Sequence, residues 1–186
     1  MELMEAIATR RSVRQYTAEP VDRATVEALI RAATLAPSAM NSQPWAFAVI
    51  TDAEKLQTYS EQVKAAVLAE IDQNPALARY RTMLSDPNYH VFHRAPVLVL
   101  IYARTDGPGA AGDCCLAAQT LMLAARDMGL GTCWIGFAHG FLETPAVRAE
   151  LGVPDHCRLV APIVVGHPAA HPDPTPRDEP RILFWK

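Results

Sequence analysis

The stretch that most limits how this chain can fold runs from Gly112 to Met128. It sets Leu116, Ala117, Leu121, Ala124 and Ala125 among further alanines, so a helix made from it is apolar on nearly every side. Such a helix has to be covered all round, which puts it either at the centre of the fold or at a contact between subunits. Asp113 near its start suits a helix cap or the positive end of the helix dipole, and no chemistry is assigned to it. A second stretch, Pro96 to Tyr102, is an unbroken apolar run fit for a buried strand. A chain of 186 residues, 50% hydrophobic and 20% charged, can bury both in one ordered domain without disulfide or metal staples.

Other elements follow from spacing and from start and stop signals. Leu3, Met4, Ile7 and Ala8 predict a short helix over residues 2 to 9. Asp22 precedes Val26, Leu29, Ile30 and Ala33 on one face, which predicts an N-capped amphipathic helix ending before Pro37. Ala46 to Ile50 reads as a strand, residues 53 to 72 as a long helix, Thr144 to Leu151 as a short one and Leu159 to Val165 as a strand. Between Gln73 and Arg94, with Pro75 and Pro87, the chain is irregular and aromatic. Its Tyr80, Tyr89, Phe92 and His93 either shape a substrate pocket or cover the core.

The totals exclude some classes of function. A net charge of −3 and a pI near 6.0 leave no basic stripe for nucleic acid. Cys114, Cys115, Cys133 and Cys157 have no metal-ligand spacing, so they read as structural thiols and no metal is expected. Met-Glu-Leu-Met-Glu lacks the basic start of a secretory signal, and no apolar run reaches the roughly 18 residues that span a bilayer. A cytoplasmic protein with no membrane partner is expected. There is no Ser/His/Asp set and no paired carboxylate, and Cys133 has no base beside it in sequence, so no catalytic side chain is assigned.

Three stretches have the composition of a binding site. Arg10-Arg11-Ser12-Val13-Arg14 places three guanidiniums and a hydroxyl within five residues, which suits a phosphate group as well as a solvated turn. Residues 36 to 45, Ala-Pro-Ser-Ala-Met-Asn-Ser-Gln-Pro-Trp, form a loop of small residues in which Asn41 and Gln43 offer both donors and acceptors, as a flat heterocycle requires. From Gly129 to Phe137 a glycine-punctuated strand lets a backbone approach a flat ligand. The last residues, Gly166 to Lys186, are rich in proline yet end in Ile182-Leu183-Phe184-Trp185, which is costly to leave in water. An extended arm docked on another subunit is expected.

In their order along the chain, these stretches resemble the nitroreductase family of FMN-dependent NAD(P)H oxidoreductases. Residues 10 to 14 look like that family's Arg-Arg-Ser-x-Arg phosphate motif, residues 37 to 45 like its Pro-Ser-x-x-Asn-x-Gln-Pro-Trp loop, and Gly129 to Gly136 like its Gly-Leu-Gly-x-x-Trp-x-Gly strand. Val165-Gly166-His167-Pro168 followed by Arg177 resembles its closing strand and last phosphate-binding arginine. The resemblance implies an α+β fold, an α/β/α sandwich with a mostly antiparallel central sheet wrapped by helices, in an intertwined homodimer. Residues 1 to 166 would be one FMN-binding domain and 167 to 186 the arm.

By the same resemblance, Arg10, Ser12, Arg14 and Arg177 would hold the FMN phosphate, with Arg11 in reserve. Pro37, Ser38, Ala39 and Asn41 would reach the flavin from the other subunit, and Trp134, Ile135 and Gly136 would line its ring. Two positions depart from the pattern: Ile135-Gly136-Phe137 stands where some members have a Glu-Gly pair, and Thr175 where a lysine is common. The implied reaction is hydride transfer from NADH or NADPH through flavin N5 to a small-molecule acceptor such as a nitroaromatic or a quinone. A flavin-dependent desaturase or dehalogenase, or a flavin-binding protein without turnover, is the alternative on the same fold.

Overall fold

The computed structural model describes residues 1–186, the side chains of Pro75 and Ala76 excepted. In chain order the regular elements are α1 (Leu3–Thr9), α2 (Arg23–Ala33), β1 (Trp45–Ile50), α3 (Ala53–Ile71), α4 (Arg81–Ser85), β2 (Val97–Ala103), α5 (Ala110–Asp127), β3 (Gly131–Trp134), α6 (His139–Leu142), α7 (Pro145–Glu150) and β4 (Arg158–Gly166). Asp22 caps α2 as its position predicts, its carboxylate accepting the Thr25 N–H at 2.7 Å. Asp52 does the same for α3, accepting from Glu54 N and Lys55 N.

The four strands form one sheet in the order β1-β2-β4-β3, every neighbouring pair antiparallel. Strand β2 is buried along its whole length, which is why its sequence does not alternate. Val97, Val99, Ile101 and Ala103 point into a core shared with Leu29 and Ala33 of α2 and Ala117, Leu121 and Ala125 of α5. Leu98, Leu100 and Tyr102 point the other way, into a core shared with Leu56, Tyr59 and Val63 of α3. The result is the expected α+β sandwich, a sheet between two helical layers.

One expectation is narrowed and another needs correction. Helix α5 is not covered all round within the protomer, which leaves the subunit-contact alternative: Cys115 is exposed and Leu116 is 46% exposed. Helix α1 packs beside it and adds Leu3, Met4 and Ile7 at 66%, 70% and 47%, so the two helices share one open apolar face. The glycine-punctuated stretch is also shorter as a strand than residues 129 to 137. Gly129, at φ 76°, closes α5 in the left-handed conformation that a residue with a Cβ could not adopt cheaply. At the other end β3 pairs Trp134 with Ile163, and the ladder closes on the Ile135 N–H to Pro162 O bond of 2.8 Å, for which Pro162 has no N–H to return. The chain then turns through Gly136–Ala138 into α6, which the sequence reading did not anticipate.

The sheet's two edges differ. Along β3 the outer edge is covered by residues 12 and 13, through a Ser12–Thr132 bridge and the Val13 N–H to Thr132 O bond of 2.9 Å. Strand β1 has no strand partner on its outer side among the described residues. After Ala169 the chain forms no helix or strand, and Ile182, Leu183, Phe184 and Trp185 are 59%, 90%, 78% and 83% exposed. No described helix is long and apolar enough to cross a membrane.

Candidate functional site

The arginine-rich stretch starts where α1 ends and lies extended along β3. Extended backbone alternates its side chains, and Val13 accordingly turns inward, 4% exposed and packed on Gly131, while Arg14 stays exposed. The stretch is zipped on both sides. Beyond the Val13–Thr132 bond, Thr17 N–H donates to His167 O and Ala169 N–H to Gln15 O, both at 2.9 Å, and the Tyr16 hydroxyl donates to Val13 O at 2.8 Å. These bonds tie the N-terminal cluster to β3 and to the residues leaving β4, which is how sequence-distant motifs meet.

They meet at a cleft of about 550 Å³. Its floor is Cys133, Trp134, Ile135, Gly136 and Phe137, Arg14 stands at one side, and Tyr80, Met83, Tyr89, Val91 and His93 form the facing wall. Thus Tyr80, Tyr89 and His93 of the aromatic insertion shape a pocket, whereas Phe92 is fully buried in the core. Nothing lies within 4 Å of where a Gly136 Cβ would stand, leaving its backbone open to a flat ligand. No carboxylate lines the cleft, so the Arg14 guanidinium is its fixed charge. Burial pushes the Cys133 thiol upward, against the opposing pull of Arg14, Ser12 and Arg10, so it stays a neutral thiol rather than a nucleophile.

His93 is held well below its usual range, at about 4, first by burial and then by Arg14. His90, whose Nδ1 accepts the Phe92 N–H, is likewise lowered to about 4, first by burial. A base whose folded pKa is depressed keeps its full contribution to stability above the unfolded value of 6.5 and loses it as pH falls toward 4, because the unfolded chain binds more protons in that window. The carboxyls of Asp22, Glu27 and Glu150 are lowered by their hydrogen bonds from Thr25, Arg23 and Lys55, which moves their titration away from this window. The thermal midpoint is therefore expected to fall between pH 6.5 and 5, and to fall less in His93→Gln. A midpoint flat across this range would contradict the assignment.

The other candidate residues lie outside this cleft in the single protomer. The loop with Pro37, Ser38, Ala39 and Asn41 is tied to the start of α5, with Met40, Asn41 and Gln43 at φ 53°, 55° and 45°. Three left-handed non-glycine residues persist only where the surroundings hold them. Ser38 Oγ accepts the Gln43 N–H at 3.0 Å, and the Asp113 carboxylate, 8% exposed, accepts the Ala39 N–H at 3.2 Å. Asp113, given no chemistry from sequence, is thus the anchor of this loop. Its partner lies 74 residues away, so no local pattern could have revealed it.

The arginines divide. Arg11 donates to the carbonyls of Ala8 and Arg10 at 2.8 and 2.9 Å and closes the end of α1. Arg10 and Arg11 line a small pocket with Arg126 and His171, a further guanidinium and an imidazole that the motif did not include. Arg177 lies on the exposed arm, bonded to the carbonyls of Thr175 and Pro176.

Comparison with known proteins bears on this arrangement. The Nitroreductase family model matches residues 7–167. A protein of Archaeoglobus fulgidus named as an NADH dehydrogenase/NAD(P)H nitroreductase is 30% identical over 172 residues, covering 92% of this chain and 88% of that one. The 4-nitrobenzoate reductase of Nocardioides sp. is 31% identical over 210 residues, covering 92% and 83%. Among solved structures, a nitroreductase with bound FMN from Bacteroides fragilis superposes with a TM-score of 0.85 at 27% identity, over 100% of both chains.

Proposed function

The chain belongs to the nitroreductase family, and from that premise we propose that it is a homodimeric FMN-dependent oxidoreductase that takes a hydride from NADH or NADPH and delivers it to a nitroaromatic, quinone or related acceptor. The observation that carries the reading is the cleft in which Arg14 faces Trp134, Ile135 and Gly136. Its volume lies in the range of about 300 to 1,000 Å³ usual for small-molecule sites, its floor is open backbone, and its one fixed charge is positive. These features fit a flat, electron-rich ring with an anionic tail.

When bound, FMN would supply the hydride chemistry, which asks for no protein nucleophile. The chain's own part is to bind, orient and exclude water. Arg10, Arg11, Ser12, Arg14 and Arg177 would hold the phosphate-bearing chain, with Arg14 close enough to the cleft to reach the ring end too. Ile135 N–H is committed to Pro162 O at 2.8 Å, so we assign the Gly136 N–H to the reactive edge of the ring. Tyr80, Met83, Tyr89 and His93 would cover the face from which acceptors enter.

The dimer belongs to the same proposal. The open apolar face of α1 and α5 is covered by a second copy, whose loop brings Pro37, Ser38, Ala39 and Asn41 over the ring. Two-fold symmetry then builds two equal sites. The arm, residues 167 to 186, crosses to the partner. A groove of about 460 Å³ beside the uncovered edge of β1, with Val21, Val26, Ile30 and Val49 as its apolar lining and Arg23, Glu27 and Thr51 as its polar lining, receives its end.

A visible spectrum of the purified protein, then anaerobic mixing with NADH or NADPH and an acceptor screen, tests the reading. Yellow protein bleached by either donor and turning over a quinone or nitroaromatic supports it. Protein that stays colourless after FMN reconstitution ends it, bleaching only by an organic substrate indicates a desaturase or dehalogenase, and yellow protein with no turnover indicates a flavin carrier. Arg14→Ala is expected to weaken FMN binding by about 1.5 to 3 kcal/mol, roughly ten- to hundred-fold in Kd, for the lost charge-assisted contact. Unchanged affinity by flavin fluorescence titration would remove Arg14 from the site.

A further inference from the structure

Helix α3 turns two polar side chains inward. Ser60 has no exposed surface and Lys64 is 5% exposed. Both are spent on one segment that is neither helix nor strand. Ser60 Oγ accepts the Val91 N–H at 2.9 Å, and Lys64 Nζ donates to Asp86 O at 3.1 Å, Tyr89 O at 3.2 Å and Glu61 Oε1 at 3.3 Å. An ammonium has three protons, and each has an acceptor here. Burying an ammonium is unfavourable unless its donors are saturated, and the surrounding α3 positions Val63 and Leu56 are packed by apolar contacts alone. What the cation does that an apolar side chain could not is gather two loop carbonyls.

The gathered segment is the wall of the cleft. It carries Tyr89, Val91 and His93 and ends in two successive left-handed residues, His93 at φ 54° and Arg94 at φ 56°, a conformation that persists only where the surroundings impose it. Resting on the reading of the cleft as the acceptor site, we propose that Lys64 is a positioning residue that sets the cleft's width through Tyr89 and His93, and so selects electron acceptors by size.

The test uses the FMN-loaded protein and Lys64→Met, which keeps length and loses the donors. For 1,4-benzoquinone and 1,4-naphthoquinone, one ring against two, the ratio of kcat/KM is expected to shift by roughly tenfold, the scale on which pocket shape discriminates. The shift should lie in KM, with FMN affinity unchanged, and Lys64→Arg, which keeps charge and donors, should stay near the native ratio. An unchanged ratio in folded Lys64→Met overturns the inference, and so does FMN affinity falling in step with KM. If Lys64→Met fails to fold, Ser60→Ala releases only Val91 and must move the ratio the same way, or the inference falls. If the unaltered protein holds FMN but reduces neither quinone, the acceptor reading fails separately. The width claim is then read from benzoate binding, followed by the flavin spectrum, and equal Kd values in native and Lys64→Met protein overturn it.

Discussion

On the proposed assembly, removing residues 180–186 is expected to convert the dimer largely to monomers that lose their flavin on dilution. The deletion takes away Ile182, Leu183, Phe184 and Trp185, each at least 59% exposed in the protomer. Burying a large apolar side chain is worth about 1.5 to 3 kcal/mol, and two-fold symmetry counts each arm twice. Ordering the arms offsets part of this, so a loss of roughly 4 kcal/mol, about a thousandfold in the dimer constant, is a low figure. Sedimentation across a dilution series measures it, with flavin absorbance followed in the same cell. The truncated domain should still fold, with its thermal midpoint lowered only by the lost association, since none of the four side chains belongs to either core. A truncated chain that stays dimeric and yellow at nanomolar concentration would mean the arm is ornamental and the α1–α5 face carries assembly alone.

Gly131→Ala is expected to damage both stability and flavin binding from a position that touches no ligand. A Cβ at Gly131 would stand 2.7 Å from Val13 Cγ2 and 2.8 Å from Val13 Cβ, inside any real contact. Overpacking of this kind costs about 1 to 3 kcal/mol, which for a chain of this size lowers the midpoint by about 2 to 4 °C per kcal/mol. The functional loss follows because Val13 cannot move alone. Its N–H is bonded to Thr132 O, and its neighbours Ser12 and Arg14 are the residues proposed at the flavin. Val13→Gly placed in the Gly131→Ala background removes the Val13 Cβ as well as its two methyls and should recover part of both losses. Differential scanning fluorimetry and FMN titration of the two single variants and the double variant give the coupling. Additive losses would show that the glycine serves something other than close approach to Val13.

How far the sequence went can be judged at particular residues. Strand β2 was legible because both its faces are apolar, and α2 because Asp22 and its apolar stripe are local signals that the Thr25 bond bears out. Of the three stretches singled out by composition, two meet in the structure, where the cleft joins Arg14 to Trp134, Ile135 and Gly136, while residues 36 to 45 lie outside it. Illegible were the roles that depend on one side chain reaching a distant backbone. Lys64 in a helical stretch looks like any solvated lysine until the carbonyls of Asp86 and Tyr89 lie beside it, and Asp113 looks like a helix-dipole acid until Ala39 does. The early end of β3 was hidden for a similar reason: it is set by Pro162, on the strand opposite. The all-round apolar character of α5 reads as a demand for cover, and composition could not say which side the protomer itself would leave open.

The bare outer margin of β1 has a consequence for the life of the chain before assembly. From Trp45 to Ile50 it holds out a row of backbone donors and acceptors with apolar side chains above and below, a seam to which any extended peptide can be stitched. A solitary protomer is therefore safest when its wait is short. Crowding with its own kind shortens that wait, whereas slow or dilute production lengthens it and gives mismatched strands their opportunity.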